Sequence, residues 1–125
     1  MTTETMDYLR RLENMVEKIV KDYLQECLNI PVRLEEEGGL GKEYVLIEKT
    51  GSSGDNYIRS ATLVIQSFSS SLCGAAQLNE RVKETMKKII ELDDICRCDL
   101  NSDYNYTDTA RKKNRYQAVF DIVHY

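Results

Sequence analysis

Apolar residues recur along this chain at two different spacings, and the change from one spacing to the other divides it into helices and strands. Across residues 5–28, Met6, Leu9, Leu12, Val16, Ile19, Tyr23 and Cys27 return every three or four positions, which is the period of one face of an α-helix. Arg10, Arg11, Glu13, Glu17, Lys21 and Gln25 fall away from that stripe, so one face is expected to pack and the other to stay wet. Asn29 and Pro31 predict the helix end, because proline pushes its predecessor out of the helical region and Asn accepts the left-handed cap. Residues 32–36 can form a short strand, running into the turn Glu37, Gly38, Gly39, Leu40, Gly41.

From there the period falls to two. Residues 42–50 alternate around Tyr44, Val45, Leu46 and Ile47 and predict a strand, with GSSGDN (51–56) as the connecting loop. Residues 57–68 predict a longer strand, with Tyr57, Ala61, Leu63 and Ile65 on one face and Ile58, Thr62, Val64 and Phe68 on the other. Both faces carry apolar groups, so the second should be covered by a helix or by another subunit. Ser69, Ser70 and Ser71 offer N-caps for a second helix over 72–92, with the stripe Leu72, Ala75, Ala76, Asn79, Val82, Met86, Ile89 and Ile90. Gly74 inside that helix costs about 1 kcal/mol relative to Ala, which favours a start one turn later.

The last third reads as two long strands, 95–109 and 115–125, joined by a basic loop. Tyr116, Ala118, Phe120, Ile122 and His124 share a face, with Arg115, Gln117, Val119, Asp121 and Val123 opposite. The second strand reaches the final residue, which leaves no spare tail and makes a sheet edge available at the terminus. The order α-β-β-β-α-β-β, with short connections, predicts an α+β fold. It would have two layers, with a mostly antiparallel sheet of about five strands packed with two helices.

Composition narrows the setting. At 125 residues, 42% hydrophobic and 30% charged, the chain fits one soluble domain, 1–125, burying roughly two thirds of its unfolded surface. No apolar run approaches the roughly 20 residues needed to span a bilayer, and MTTETMDY lacks the basic start of a signal peptide, so no membrane role is expected and folding is expected in a cytoplasm. The net charge of −4 argues against specific nucleic-acid binding, which relies on clustered cations. The one basic cluster, Arg111, Lys112 and Lys113, reads first as a soluble turn. Cys27, Cys73, Cys96 and Cys98 read as free thiols and small core residues, with Cys96 and Cys98 on the same strand face.

No reactive constellation emerges, and no cofactor or metal is expected. Glu35, Glu36 and Glu37 form a charge run suited to a wet turn. DLNSDYNYTD (99–108) has closely spaced oxygens but lacks the mid-loop glycine and terminal glutamate of an EF-hand. His124, the sole histidine, has no adjacent nucleophile in the pattern and shares its face with Phe120 and Ile122. GGLG and GSSG lack the strand-to-helix setting and following Lys of a phosphate cradle. An enzyme is therefore not expected. Tyrosine is more telling, because it buries a large ring while keeping a polar tip and is favoured at interfaces. The candidate assembly contacts are Tyr57 and Ile58 on the two-faced strand, Tyr104, Tyr106, Tyr116 and Tyr125 in the terminal hairpin, and Arg111, Lys112 and Lys113 in its loop.

Several strings carry a family resemblance: VLIEKTG ending Glu48, Lys49, Thr50, Gly51; ATLVIQS at 61–67; AAQLNERVK at 75–83; and RYQAVFDI at 115–122. With the order of elements, the chain resembles the tail terminator proteins of long-tailed bacteriophages and prophages of Gram-positive bacteria, also called tail completion or tail-to-head joining proteins. The resemblance covers nearly the whole chain and implies a structural role. It implies a homo-oligomeric, hexameric ring at the head-proximal end of the tail tube, which halts tube polymerisation and presents a surface to the head. The implied partners are a second copy of the chain, the tail tube protein and a head-completion or connector protein. The implied location is the bacterial cytoplasm during assembly and then the virion. Under the same resemblance, GSSGDN and the loop 107–114 are candidates for ring or tube contacts. Another head-tail connector, a minor tail component, or a small binding module on an α+β scaffold remain alternatives.

Overall fold

The computed structural model describes residues 15–55 and 58–125. The predicted helical residues 5–14 and Tyr57 therefore lie outside the described residues. The elements run α1 (Val16–Leu28), β1 (Val32–Arg33), β2 (Tyr44–Asp55), β3 (Ile58–Ser69), α2 (Leu72–Met86), a 3-10 turn (Ile89–Glu91), β4 (Ile95–Asn105) and β5 (Asn114–His124). Among the described residues the fold is α+β, with two helices and a five-stranded, mostly antiparallel sheet in the expected order.

The sheet order is β1-β2-β3-β5-β4. This corrects the expectation about the terminus: β5 is an interior strand between β3 and β4, and the sheet edge belongs to β4. A chain-terminal strand can sit inside a sheet because β4 leaves α2, passes to the outside, and turns back so that β5 fills the gap beside β3. Short connections also do not make every pair antiparallel: β1 runs parallel to β2, pairing Val32 with Val45 and Arg33 with Leu46.

β2 continues through Gly51, Ser52, Ser53, Gly54 and Asp55, where the sequence predicts a loop. These small residues have low strand propensity, but β3 supplies partners as far as Asp55 opposite Ile58, and tertiary pairing overrides local preference. A register shift between Lys49 and Gly51 marks a bulge. Two further shifts interrupt β4, between Ile95 and Arg97 and between Leu100 and Ser102. The first corrects the reading of the cysteine pair, because the extra residue breaks the alternation: Cys96 is exposed and Cys98 half-buried. Cys27 and Cys73 are exposed as well, so these thiols are not core residues.

Both helices pack on one face of the sheet. The core joins Val16, Val20, Leu24 and Leu28 of α1 and Leu78, Val82 and Met86 of α2. These meet Val45, Ile47, Leu63, Ile65, Phe120 and Ile122 of the sheet. The α1 stripe thus follows an i, i+4 line through Val20 and Leu24, with Ile19 and Tyr23 flanking it and Cys27 outside. Asn29 caps the helix in the left-handed region at φ 57°, and its N–H donates to the Gln25 carbonyl at 2.9 Å, as the sequence predicts. The Tyr23 hydroxyl donates to the Thr85 carbonyl at 2.9 Å and ties α1 to α2.

α2 starts at Leu72 despite Gly74, with Ser71 as the cap accepting from the Gly74 N–H at 3.0 Å. A Cβ at Gly74 would meet Ser69 Oγ at 2.3 Å, so the glycine serves the close turn out of β3 rather than delaying the helix. The helix stops at Met86, short of the predicted 92, and the remaining apolar pair divides: Ile89 is buried in the 3-10 turn and Ile90 faces outward. Leu72 is exposed too, while Leu78 joins the buried stripe. Asn79 breaks the apolar stripe for a reason. It is buried, and its Nδ2 donates to Asp103 on β4 at 2.9 Å, beside a second donor to the same oxygen from Lys83 at 2.9 Å.

Candidate assembly surface

Residues paired across antiparallel strands project from the same side of a sheet, so the register lays out rows on the face away from the helices. One row is Tyr44, Phe68 and Arg115. The next is Leu46, Gln66, Gln117 and Tyr104, followed by Glu48, Val64, Val119 and Ser102. Among the described residues no helix lies over these rows. The sequence expectation of a helix over the second face of β3 is not met among the described residues; the cover seen there is made by neighbouring side chains.

That lateral cover is specific. Tyr44 stacks on Phe68 with ring centroids 4.5 Å apart and an interplanar angle of 10°. The Arg115 guanidinium lies 5.9 Å from the Phe68 centroid and 4.5 Å from that of Tyr106, and its Nε donates to the Tyr106 carbonyl at 2.6 Å. Tyr106 meets Tyr104 edge-on at 5.9 Å. In the adjoining row Gln66 Nε2 donates to Gln117 Oε1 at 2.9 Å, and Gln117 Nε2 donates to the Tyr104 hydroxyl. Phe68 is consequently 2% exposed on a face without a helix, while Tyr104 and Tyr106 are 43% and 45% exposed.

The loop between β4 and β5 bends back over the Tyr44 end of this face. Asp108 and Lys113 pair through both backbone hydrogen bonds, at 2.9 and 3.0 Å, and Lys112 takes a left-handed φ of 55°. Arg111 and Lys113 then both reach Glu36, in the connection between β1 and β2. Arg111 Nη1 lies 3.0 Å from Glu36 Oε2, and Lys113 Nζ donates to Glu36 Oε1. The Tyr44 hydroxyl donates to the same carboxylate at 3.3 Å. Hydrogen bonds from Lys113 and then Arg111 hold the Glu36 carboxyl down at about 2, and Lys113 is raised in return. Arg111 Nε also pairs with Asp108 Oδ2 at 2.7 Å, which lowers Asp108.

The candidate contacts therefore divide between the two ends of the sheet, roughly 30 Å apart for nine or ten residues of strand. Tyr104, Tyr106, Arg111, Lys112 and Lys113 gather at one end. Tyr116 is at that end but half-buried on the helix side, in register with Ser67, so it does not belong to the exposed surface. Ile58, 53% exposed, and Tyr125, 65% exposed, mark the opposite end. There the Cys96 thiol beside the Tyr125 hydroxyl raises it above the ordinary range. Sequence reasoning missed Glu36, Tyr44, Phe68 and Arg115 as parts of one cluster. The available signal was modest: Phe68 and Arg115 fall on the second faces of their strands, but only register joins them.

Between the two ends lies an open groove of about 310 Å³, lined by Ser52, Ser53, Ser60, Thr62, Asp99 and Asp121 among others. Its Asp121 is engaged: Thr62 Oγ1 and Asn101 Nδ2 donate to its two oxygens at 3.1 and 3.0 Å. His124 is buried, with Nδ1 3.1 Å from the Tyr125 carbonyl oxygen. Burial, reinforced by Asp99, pushes the Cys98 thiol up to about 11, so that sulfur stays protonated. Among the described residues no three His, Cys, Asp or Glu side chains converge as metal ligands, and no helix is long and apolar enough to cross a membrane. No protein-family model matches the chain, and no curated protein matches it.

Proposed function

We propose that the protein is a structural component of a long-tailed phage or prophage. It caps the tail tube, stops its polymerisation and offers the surface that joins the head, acting as a hexameric ring. One observation carries the reading: four long strands present an aromatic and amide face with no helix over it among the described residues, together with half-exposed Tyr104 and Tyr106. Such a face suits contact with another protein, because large rings with polar tips bury area while their hydroxyls and amides keep partners. The strings VLIEKTG, ATLVIQS, AAQLNERVK and RYQAVFDI support the tail-terminator assignment. A ring that caps a tube needs head-to-tail contacts that close on themselves, with different surfaces facing each neighbour. The two unlike ends of this sheet offer unlike surfaces.

Native mass measurement with and without purified tail tube protein tests the proposal. Hexamers, or defined complexes with tube ends, are expected in the presence of the tube. A strict monomer that leaves tube length distributions unchanged would count against it.

A further inference from the structure

We propose that the loop end of the sheet is a docking site for an acidic segment of a partner protein, and that Glu36 occupies this site within the free chain as a placeholder. The proposal rests on the assembly reading only in supposing a protein partner; its chemistry follows from the loop itself.

In a chain of net charge −4, Arg111, Lys112, Lys113 and Arg115 collect at one sheet end. Their nearest counter-charges are Asp108, within the loop, and Glu36, 75 and 77 residues away from Arg111 and Lys113. The contact with Glu36 is solvent-accessible: the side chains of Arg111, Lys113 and Glu36 are 53%, 38% and 31% exposed. Ion pairs this exposed contribute little to stability, on the order of 1 kcal/mol or less each, so an incoming carboxylate can replace Glu36 at small cost. The left-handed turn at Lys112 separates it from its neighbours, leaving it exposed while Arg111 and Lys113 engage Glu36. Tyr104 and Tyr106 flank the cations and add amphipathic contact area.

An acidic protein segment fits better than nucleic acid. The cations occupy one end of the sheet, while the face beyond them carries Glu48, Asp99 and Asp121, which repel any anionic chain that continues across it, so the site suits a short segment with one or two carboxylates rather than a phosphate at every residue of a backbone. The site matches one or two carboxylates held by a guanidinium and two ammonium groups.

Fluorescence anisotropy with a labelled octaglutamate peptide in 50 mM salt tests the assignment, using the wild type, Glu36→Gln and the loop variant Arg111→Ala/Lys112→Ala/Lys113→Ala. Circular dichroism and thermal melting confirm that each variant is folded. Glu36→Gln is expected to bind about two- to fivefold more tightly than the wild type, and the loop variant at least tenfold more weakly. Equal affinity across the three proteins, or weaker binding by Glu36→Gln, would overturn the placeholder role. Binding of a twelve-residue oligo-dT as tightly as the peptide, strengthened in the same way by Glu36→Gln, would overturn the preference for protein. Failure of the wild type to cap tubes while these peptide results hold would sink the tail reading and leave the docking site intact. Tube capping by a protein whose peptide affinity ignores all three cations would do the reverse.

Discussion

The two faces of this sheet are held by different physics. Toward the helices, Val45, Leu63, Ile65 and Ala118 are fully buried, and Ile47, Phe120 and Ile122 nearly so. Apolar area removed from water stabilises that side. On the other face Phe68 is buried just as deeply, yet its cover is a tyrosine ring and a guanidinium, and the neighbouring row is a chain of amides ending on a hydroxyl. The difference lies in what each face can still do. An apolar face covered by helices carries no polar groups, whereas stacked rings and amides place polar groups on a face that no helix covers among the described residues.

Removing residues 116–125 should erase both faces at once, because β5 lies between β3 and β4 and supplies partners to each. A soluble truncated chain with a cooperative melting transition would contradict the interior placement of that strand. Leu63→Ala, on the helix side, should lose about 2–5 kcal/mol in urea unfolding through lost burial and the cavity left behind. Phe68→Leu keeps an apolar group on the outer face but gives up the stack and the cation contact, so a loss of only about 1 kcal/mol is expected. If the two losses came out equal, the outer face would be an apolar core like the inner one.

The smallest effect belongs to Glu36. Its folded carboxyl titrates at about 2 against an ordinary 4.5, so its contribution is present above the ordinary value and fades as pH falls from about 4.5 toward 2. Glu36→Gln should flatten that part of the stability-against-pH curve, by less than about 1 kcal/mol because the pair is exposed. Unchanged acid sensitivity in the variant would shift the effect to another lowered carboxylate, such as Asp22 or Asp108.

Much of the architecture is legible in the sequence alone. The alternation in β5, the two faces of β3, the Asn29 cap and the Ser71 cap are local signals, set by period and by side chains within a few residues of the backbone they serve. The misreadings share a cause. Bulges at Thr50, Cys96 and Asn101 exist only relative to a partner strand, so the C-x-C pair looked like neighbours on one face. GSSGD became strand because β3 lay alongside it. The basic loop is the solvated turn that the sequence suggests, but its carboxylate partner Glu36 is not legible there because it lies 75 residues away. Of the candidate contacts, Tyr104, Tyr106, Ile58 and Tyr125 are exposed; Tyr116 lies on the helix side, the face that alternation with Phe120 and Ile122 assigns it, and the engagement of Arg111 and Lys113 by Glu36 has no local signal.

The sequence by itself determined where the helices and the strand centres lie and, between bulges, which residues share a strand face, because those depend on repeat periods and short-range capping. Only the tertiary structure decided that the terminal strand is interior, that Tyr44, Phe68, Arg115 and Tyr106 form one stack, and that Glu36 closes the basic loop. Each of those depends on register between segments far apart in the chain, where contact is made by whichever pairing buries the most and leaves the fewest polar groups alone, and no local pattern encodes that choice.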